Sequence, residues 1–163
     1  MPSDESTITI EHAPSPRDVA FVEDQLNAYN IATTGYDDYA PLAIFARDAG
    51  GQIIAGLCGF TWGHTLLVEQ LWVHESLRGQ GLGSRLLGAA EREAVVRGCA
   101  QAVLDTHSFQ APELYPKLGY SLCGVAHDWP LGHQQLYFEK TLTPEKEAHS
   151  AQGASDARSH PIR

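Results

Sequence analysis

The segment Arg78-Gly79-Gln80-Gly81-Leu82-Gly83-Ser84 carries the most specific chemistry in the chain. Its alternating glycines let the backbone approach a ligand without Cβ obstruction, and they lead into an amphipathic stretch from Ser84 to Arg97. Successive N–H groups at a helix start point outward together, and the helix dipole adds about half a positive charge there. Such a loop suits a pyrophosphate. It is not a Walker loop, because no Gly-Lys-Ser/Thr follows. A dinucleotide fingerprint fails too, because Ser84 stands where the third glycine is required.

A second chemical feature is Glu69, set in the otherwise apolar run Val68-Glu69-Gln70-Leu71-Trp72. A carboxylate on a buried strand is costly unless it is paired or used, so Glu69 is a candidate to take up a proton or hold a cation. His74, His107, His127 and His133 show no helix-face or finger-type spacing, so no metal site is predicted. Cys58, Cys99 and Cys123 form an odd, scattered set without CxxC spacing, each among apolar neighbours, and read as buried thiols in a reducing compartment.

The elements that position these residues follow from periodicity. Thr7 to Glu11 alternates, with Ile8 and Ile10 on one face, which predicts a half-buried strand. Ser15-Pro16 starts a helix carrying Val19, Val22, Leu26 and Tyr29 and ending near Gly35. Ala40 to Arg47, a Gly50-Gly51 turn and Gln52 to Trp62 predict a hairpin; Gly63-His64 turns the chain again into Thr65 to His74. After the glycine loop, Leu86, Ala90 and Ala94 recur at four-residue spacing, widened by Leu87 and Val95, and Gly98 closes the helix. Ala102 to Thr106 is a short buried strand, so strand, loop, helix and strand make a βαβ unit with a parallel pair. A short helix over Ala111 to Leu118 and strands over Tyr120 to Val125 and Gln134 to Leu142 complete one domain, residues 1–143. Residues 144–163 hold no aromatic, Leu or Val and read as a flexible tail.

The whole chain, 163 residues with net charge −9, suits a single domain. The charge is lopsided: Met1 to Glu75 holds eleven acids against Arg17 and Arg47, while Ser76 to Thr143 balances six against six. An acidic half disfavours nucleic acid and favours a cationic small molecule. No apolar run is long enough for a membrane span, and Met1 to Glu5 lacks the features of a signal peptide, so the expected compartment is the cytoplasm.

The pattern Arg78-x-x-Gly81-x-Gly83, after the strand Leu71-Trp72-Val73-His74, resembles the acetyl-CoA loop of the GNAT superfamily of N-acetyltransferases. The later run Phe109-Gln110-Ala111-Pro112-Glu113-Leu114-Tyr115-Pro116-Lys117-Leu118-Gly119-Tyr120 resembles that family's aromatic-Tyr-x-Lys-x-Gly-aromatic segment, and the order of elements agrees from Thr7 to Leu142. The resemblance implies an α/β (α+β) fold: a mixed central sheet of about six to seven strands, flanking helices and a splayed parallel strand pair at its centre. It implies acetyl-CoA as co-substrate and transfer of the acetyl group to a primary amine by direct attack in a ternary complex.

By the same resemblance, Arg78, Gly79, Gln80, Gly81, Leu82, Gly83 and Ser84 hold the pyrophosphate. Leu71, Trp72 and Val73 form the edge for the pantetheine arm, with Gln110, Pro112, Tyr115 and Lys117 beside it. Many relatives carry Asn where this chain reads His107-Ser108-Phe109-Gln110, which leaves the contact of Gln110 open. Tyr115 matches the family's general acid, and Glu69 is the candidate base. The acceptor side is expected near Tyr29, Tyr36, Asp37, Asp38, His127 and Trp129, whose carboxylates and aromatic faces together could grip an ammonium ion. A protein lysine or N-terminal acetyltransferase and a non-catalytic acyl-CoA-binding sensory domain stay open as alternatives. Self-association into a homodimer is compatible with the resemblance, and no surface stripe demands it.

Overall fold

The computed structural model describes residues 6–143. The predicted tail at 144–163 and residues 1–5 lie outside the described residues. Helix α1 (Pro16–Thr34) begins where the Ser15 hydroxyl accepts the Arg17 N–H and ends at Gly35, whose φ of 76° only glycine adopts without strain. Strands β1 (Ala40–Arg47), β2 (Ile53–Trp62) and β3 (Thr65–Val73) form an antiparallel meander. A single 3-10 turn at Glu75–Leu77 leads to α2 (Leu82–Val96), then β4 (Gln101–His107), α3 (Leu114–Lys117), β5 (Ser121–His127) and β6 (Gln134–Thr141). The strand order is β1-β2-β3-β4-β6-β5, with β3 and β4 parallel and every other pair antiparallel.

One face of this sheet holds the core. Leu86, Leu87, Ala90 and Ala94 of α2 are buried against Leu57, Leu66, Val68, Ala102, Leu104 and Phe138. The four-residue spacing read from the sequence is thus the buried stripe of α2, which starts two residues earlier than predicted. Among the described residues no helix is long and apolar enough to cross a membrane.

Three expectations are corrected. Thr7 to Glu11 is not a strand: Ile8 and Ile10 are 93% and 85% exposed, and nothing pairs with them. Alternation alone does not make a strand, and among the described residues the sheet has six. Of the three cysteines only Cys99 is buried: Cys58 is half-buried, and Cys123 is exposed because it falls at a register shift between Leu122 and Gly124 on the edge strand β5. Glu69 is exposed as well. Across β2 and β3, Cys58 faces Gln70 and Gly59 faces Val68, so Glu69 is the extra residue of a bulge and swings clear of the core.

Gly59 makes that bulge compact. A Cβ there would overlap the Leu67 carbonyl oxygen and come within 3.1 Å of Val68 Cα. Gly59→Ala is expected to lower stability by about 1–3 kcal/mol, as overpacking does, read by urea denaturation with the far-UV circular dichroism spectrum retained.

Candidate active site

The parallel pair is joined only over Thr65–Val68 and Gln101–Leu104. Beyond that point β3 continues to Val73 with nothing paired on its β4 side. In an antiparallel ladder the backbone groups of successive residues point to alternate sides. The His74 N–H bonds Ile54 O at 2.9 Å, so Val73 and Leu71 direct theirs away from β2, toward the gap. The Val73 carbonyl accepts from Arg78 Nε at 3.2 Å, which leaves its N–H for a ligand.

A cavity of about 670 Å³ occupies this gap, running from Leu71, Trp72 and Val73 past the glycine loop to Gln110 and Tyr115. Arg78, Gly79, Gly81, Leu82, Gly83, Ser84 and Lys117 also line it. Gly79 and Gly81 have φ of 73° and 77°, and a Cβ on either would meet nothing within 4 Å. Their glycine identity answers to backbone conformation. Gly81 is the N-cap of α2 without a side-chain capping bond, so the first-turn N–H groups face the cavity end unfilled. Of the sequence-predicted cofactor residues, Gln80 and Pro112 do not line the cavity. The Gln80 amide folds back to donate to Ser76 O, and Pro112 is half-buried in the turn before α3.

Gln110 plays a different part from the one expected. Its Oε1 accepts from the Thr106 hydroxyl at 2.7 Å and the His107 N–H at 2.9 Å, tying the loop after β4 together. Its amide nitrogen remains for a ligand. Tyr115 is buried, with its ring against Tyr120 and Phe138 at 6.0 and 5.4 Å between centroids. Burial pushes its hydroxyl above the ordinary tyrosine range; a hydrogen bond with Thr106 opposes the shift and the Asp105 charge adds to it. Tyr120 is raised further, by burial and by Glu91, whose carboxylate accepts from the Tyr120 hydroxyl at 2.9 Å and from Lys140 at 2.7 Å.

On the opposite face of the sheet, the fork between the strands carries two carboxylates. Glu69 follows the last paired residue of β3, and Asp105 follows that of β4. Neither lines the cavity. Asp105 accepts from the amide of Gln135, a buried side chain whose Oε1 has no partner; His107 Nδ1 is likewise buried and unpartnered. Sequence reasoning missed Asp105, although it interrupts an apolar strand as Glu69 does. It also left out Thr106 and Phe109, which line the cavity.

The predicted acceptor residues divide. The loop after His127, which contains Trp129, is brought beside the cavity: the His133 ring meets Phe109 edge-on at 4.9 Å, and Ser108 bonds Gln134 in both directions. Tyr36, Asp37 and Asp38 are placed elsewhere. Asp38 accepts from the Gly63 N–H and Tyr36 abuts His64, at the start of β3, while the cavity lies at its end. The strand between them spans about 26 Å. The reason is connectivity: the chain passes from α1 straight into β1, which begins opposite Thr61 at that same end. Tyr29 is on α1, none of whose residues is buried.

A mixed sheet with a forked parallel pair, a glycine loop opening a helix at the fork and a buried tyrosine beyond it is the GNAT acyltransferase architecture. The chain belongs to the acetyltransferase (GNAT) family, whose profile matches residues 8–120, and it is an acetyl-CoA-dependent acetyltransferase. It is 36% identical over 119 residues to acetyltransferase Atu2258 of Agrobacterium fabrum, covering 73% of this chain and 87% of that protein. It is 40% identical over 96 residues to the blasticidin-S acetyltransferase of Streptomyces morookaense, covering 56% and 71% respectively. A solved acetyltransferase from Bacillus cereus superposes with a TM-score of 0.73 at 33% identity, over 82% of this chain and 98% of that one.

Placing a side chain at φ near +77° costs roughly 1–2 kcal/mol. Gly81→Ala is therefore expected to weaken coenzyme A binding about tenfold in titration calorimetry, with the fold retained.

Proposed function

We propose that the chain transfers the acetyl group of acetyl-CoA to the primary amine of a small cationic molecule, by direct attack in a ternary complex. The observation that carries this reading is the fork itself: a donor cavity ending at Tyr115 on one face and the carboxylates of Glu69 and Asp105 on the other. An ammonium ion is drawn to the carboxylate side and gives one proton to solvent, and the neutral amine reaches the thioester through the gap.

The amine nitrogen attacks the carbonyl carbon, and its proton passes to Glu69 directly or through one water. The Val73 N–H stabilises the oxyanion of the tetrahedral intermediate. As the C–S bond breaks, the Tyr115 hydroxyl gives its proton to the sulfur, and solvent restores it. Asp105 holds the cationic acceptor, and Trp129 and His127 border it. Arg78, the loop amides and Lys117 hold the phosphates of the co-substrate. The names of two relatives support an amine acceptor: blasticidin-S acetyltransferase and the bovine thialysine N-epsilon-acetyltransferase, the latter 36% identical over 73 residues.

With acetyl-CoA and a panel of small amines, lysine peptides and N-terminal peptides, small cationic amines are expected to give free thiol and an acetylated product by mass. Modification of the peptides alone would overturn the small-molecule reading. Tyr115→Phe is expected to lower kcat about 10²–10⁴-fold with KM little changed, the usual scale for losing a general acid. Asp105→Asn is expected to raise the acceptor KM instead.

The sign of the pH dependence follows from burial. Tyr115 is active when protonated, and its pKa lies above the ordinary tyrosine value of 10.0, so deprotonation sets in later than for a free tyrosine. No alkaline fall in kcat caused by Tyr115 is expected below about pH 10. A fall in the wild type that disappears in Tyr115→Phe at lower pH would contradict the assignment.

A further inference from the structure

Among the described residues the sheet has only one covered face. Alternation along the strands places Phe45, Cys58, Phe60, Leu67, Val103 and Tyr137 on the face away from α2. None of the six is buried: Phe45, with its ring over Gly56, is 45% exposed, and Tyr137 is 36% exposed. This is an apolar centre where a one-sided sheet would carry polar residues. Among the described residues, α1 buries none of its side chains. Val19, Val22, Leu26 and Tyr29 form one stripe of α1 and are 43%, 65%, 58% and 67% exposed. Phe21 and Ile31 on its other sides are exposed too, which is unsuited to a free helix in water.

Helix and face match in size. The 19 residues of α1 give a length of about 28 Å at 1.5 Å per residue, and six strands at about 4.8 Å spacing give a width near 24 Å. The chain passes from α1 into the sheet through a tied elbow. Trp62 Nε1 donates to Tyr36 O at 3.3 Å, the Gly63 N–H donates to Asp38 at 3.0 Å, and the Gly35 N–H closes the helix on Ile31 O at 2.8 Å. These bonds fix residues 36–38 against the turn between β2 and β3, so α1 leaves the sheet from a fixed point and can reach a second molecule without disturbing them.

We propose that two copies of this chain form a reciprocal dimer in which α1 of each lies across the uncovered sheet face of the other. A helix strip of roughly 28 by 10 Å, counted on both surfaces for two helices, covers on the order of 1,100 Å², near the lower end of stable interfaces. The symmetry is twofold and closed, so the exchange satisfies both apolar surfaces without leaving a free end for further growth. The face away from α2 is the one that carries Glu69, Asp105 and Trp72, so the partner's α1 borders the acceptor mouth. That last consequence rests on the acceptor reading, whereas the dimer does not.

Light scattering on the full chain after gel filtration tests the dimer without reference to activity. The expected mass is twice 17.7 kDa. Leu26→Asp on the helix and Phe45→Glu on the sheet face alter exposed positions, so each is expected to keep its circular dichroism spectrum and raise the dimer dissociation constant at least tenfold. A monomeric wild type would overturn the proposal. So would a dimer indifferent to either substitution; sensitivity to Leu26→Asp alone would mean that the helices pair with each other.

Discussion

The structure depends on the unmet hydrogen-bonding needs of β3 after Val68. A strand in the middle of a sheet has both edges paired, yet here one edge loses its neighbour while the strand is still running. Backbone groups left without partners and away from water are costly, and an open edge invites an extended, amide-bearing ligand. The glycine loop and α2 begin immediately beyond that edge, so amide-binding backbone and anion-binding helix terminus lie on one line. The bulge at Glu69 adds a second effect. Because one residue is extra, the inward alternation of Leu66 and Val68 resumes at Leu71 and Val73, and both acidic and apolar residues find the side that suits them.

The tyrosine beyond the fork is fixed by a chain of contacts that starts far from it. Lys140 on β6 pairs with Glu91 on α2, and Glu91 takes the Tyr120 hydroxyl. The Tyr120 ring meets Tyr115 edge-on, and the Tyr120 N–H bonds the Tyr115 carbonyl at 3.0 Å. A single-turn helix such as α3 has little stability of its own, so this network and Phe138 supply its rigidity. The outcome is a neutral hydroxyl in a buried setting, where a proton donor for a thiolate is useful and a charged donor would be costly.

Much of this was legible in the sequence because the signals are local. The Ser15-Pro16 cap, the Gly50-Gly51 turn, the four-residue stripe of α2 and the glycine loop each state their conformation within a few residues. The bulge was not legible, since its cause lies across the sheet, where Gly59 allows the close approach of Leu67 and Val68. Glu69 was therefore read as buried when it is exposed. The misplacement of Tyr36, Asp37 and Asp38 has a similar origin. Their chemistry is visible in the sequence, but which end of the sheet they reach is decided by the connection of α1 to β1. Alternation at Ile8 and Ile10 likewise marks a willing strand and says nothing about an available edge.

The cavity and the carboxylates of Glu69 and Asp105 lie on different faces of the sheet, and that separation bears on the proposed order of chemical events. No cysteine lines the cavity. Cys58 is on the opposite face, Cys123 is on the far edge strand, and Cys99 is buried before β4, where desolvation raises its thiol. A covalent acetyl-enzyme route needs an activated nucleophile beside the thioester. What lines the cavity instead is backbone and a buried tyrosine, with two carboxylates on the other face of the fork. Those groups can orient an amine, accept its proton and steady an oxyanion, and none of them is arranged to carry the acetyl group itself. The acidic N-terminal half adds a field of the sign that concentrates a cationic amine. On the proposed reading donor and acceptor approach from opposite faces, and direct transfer is the route that this division of charge favours.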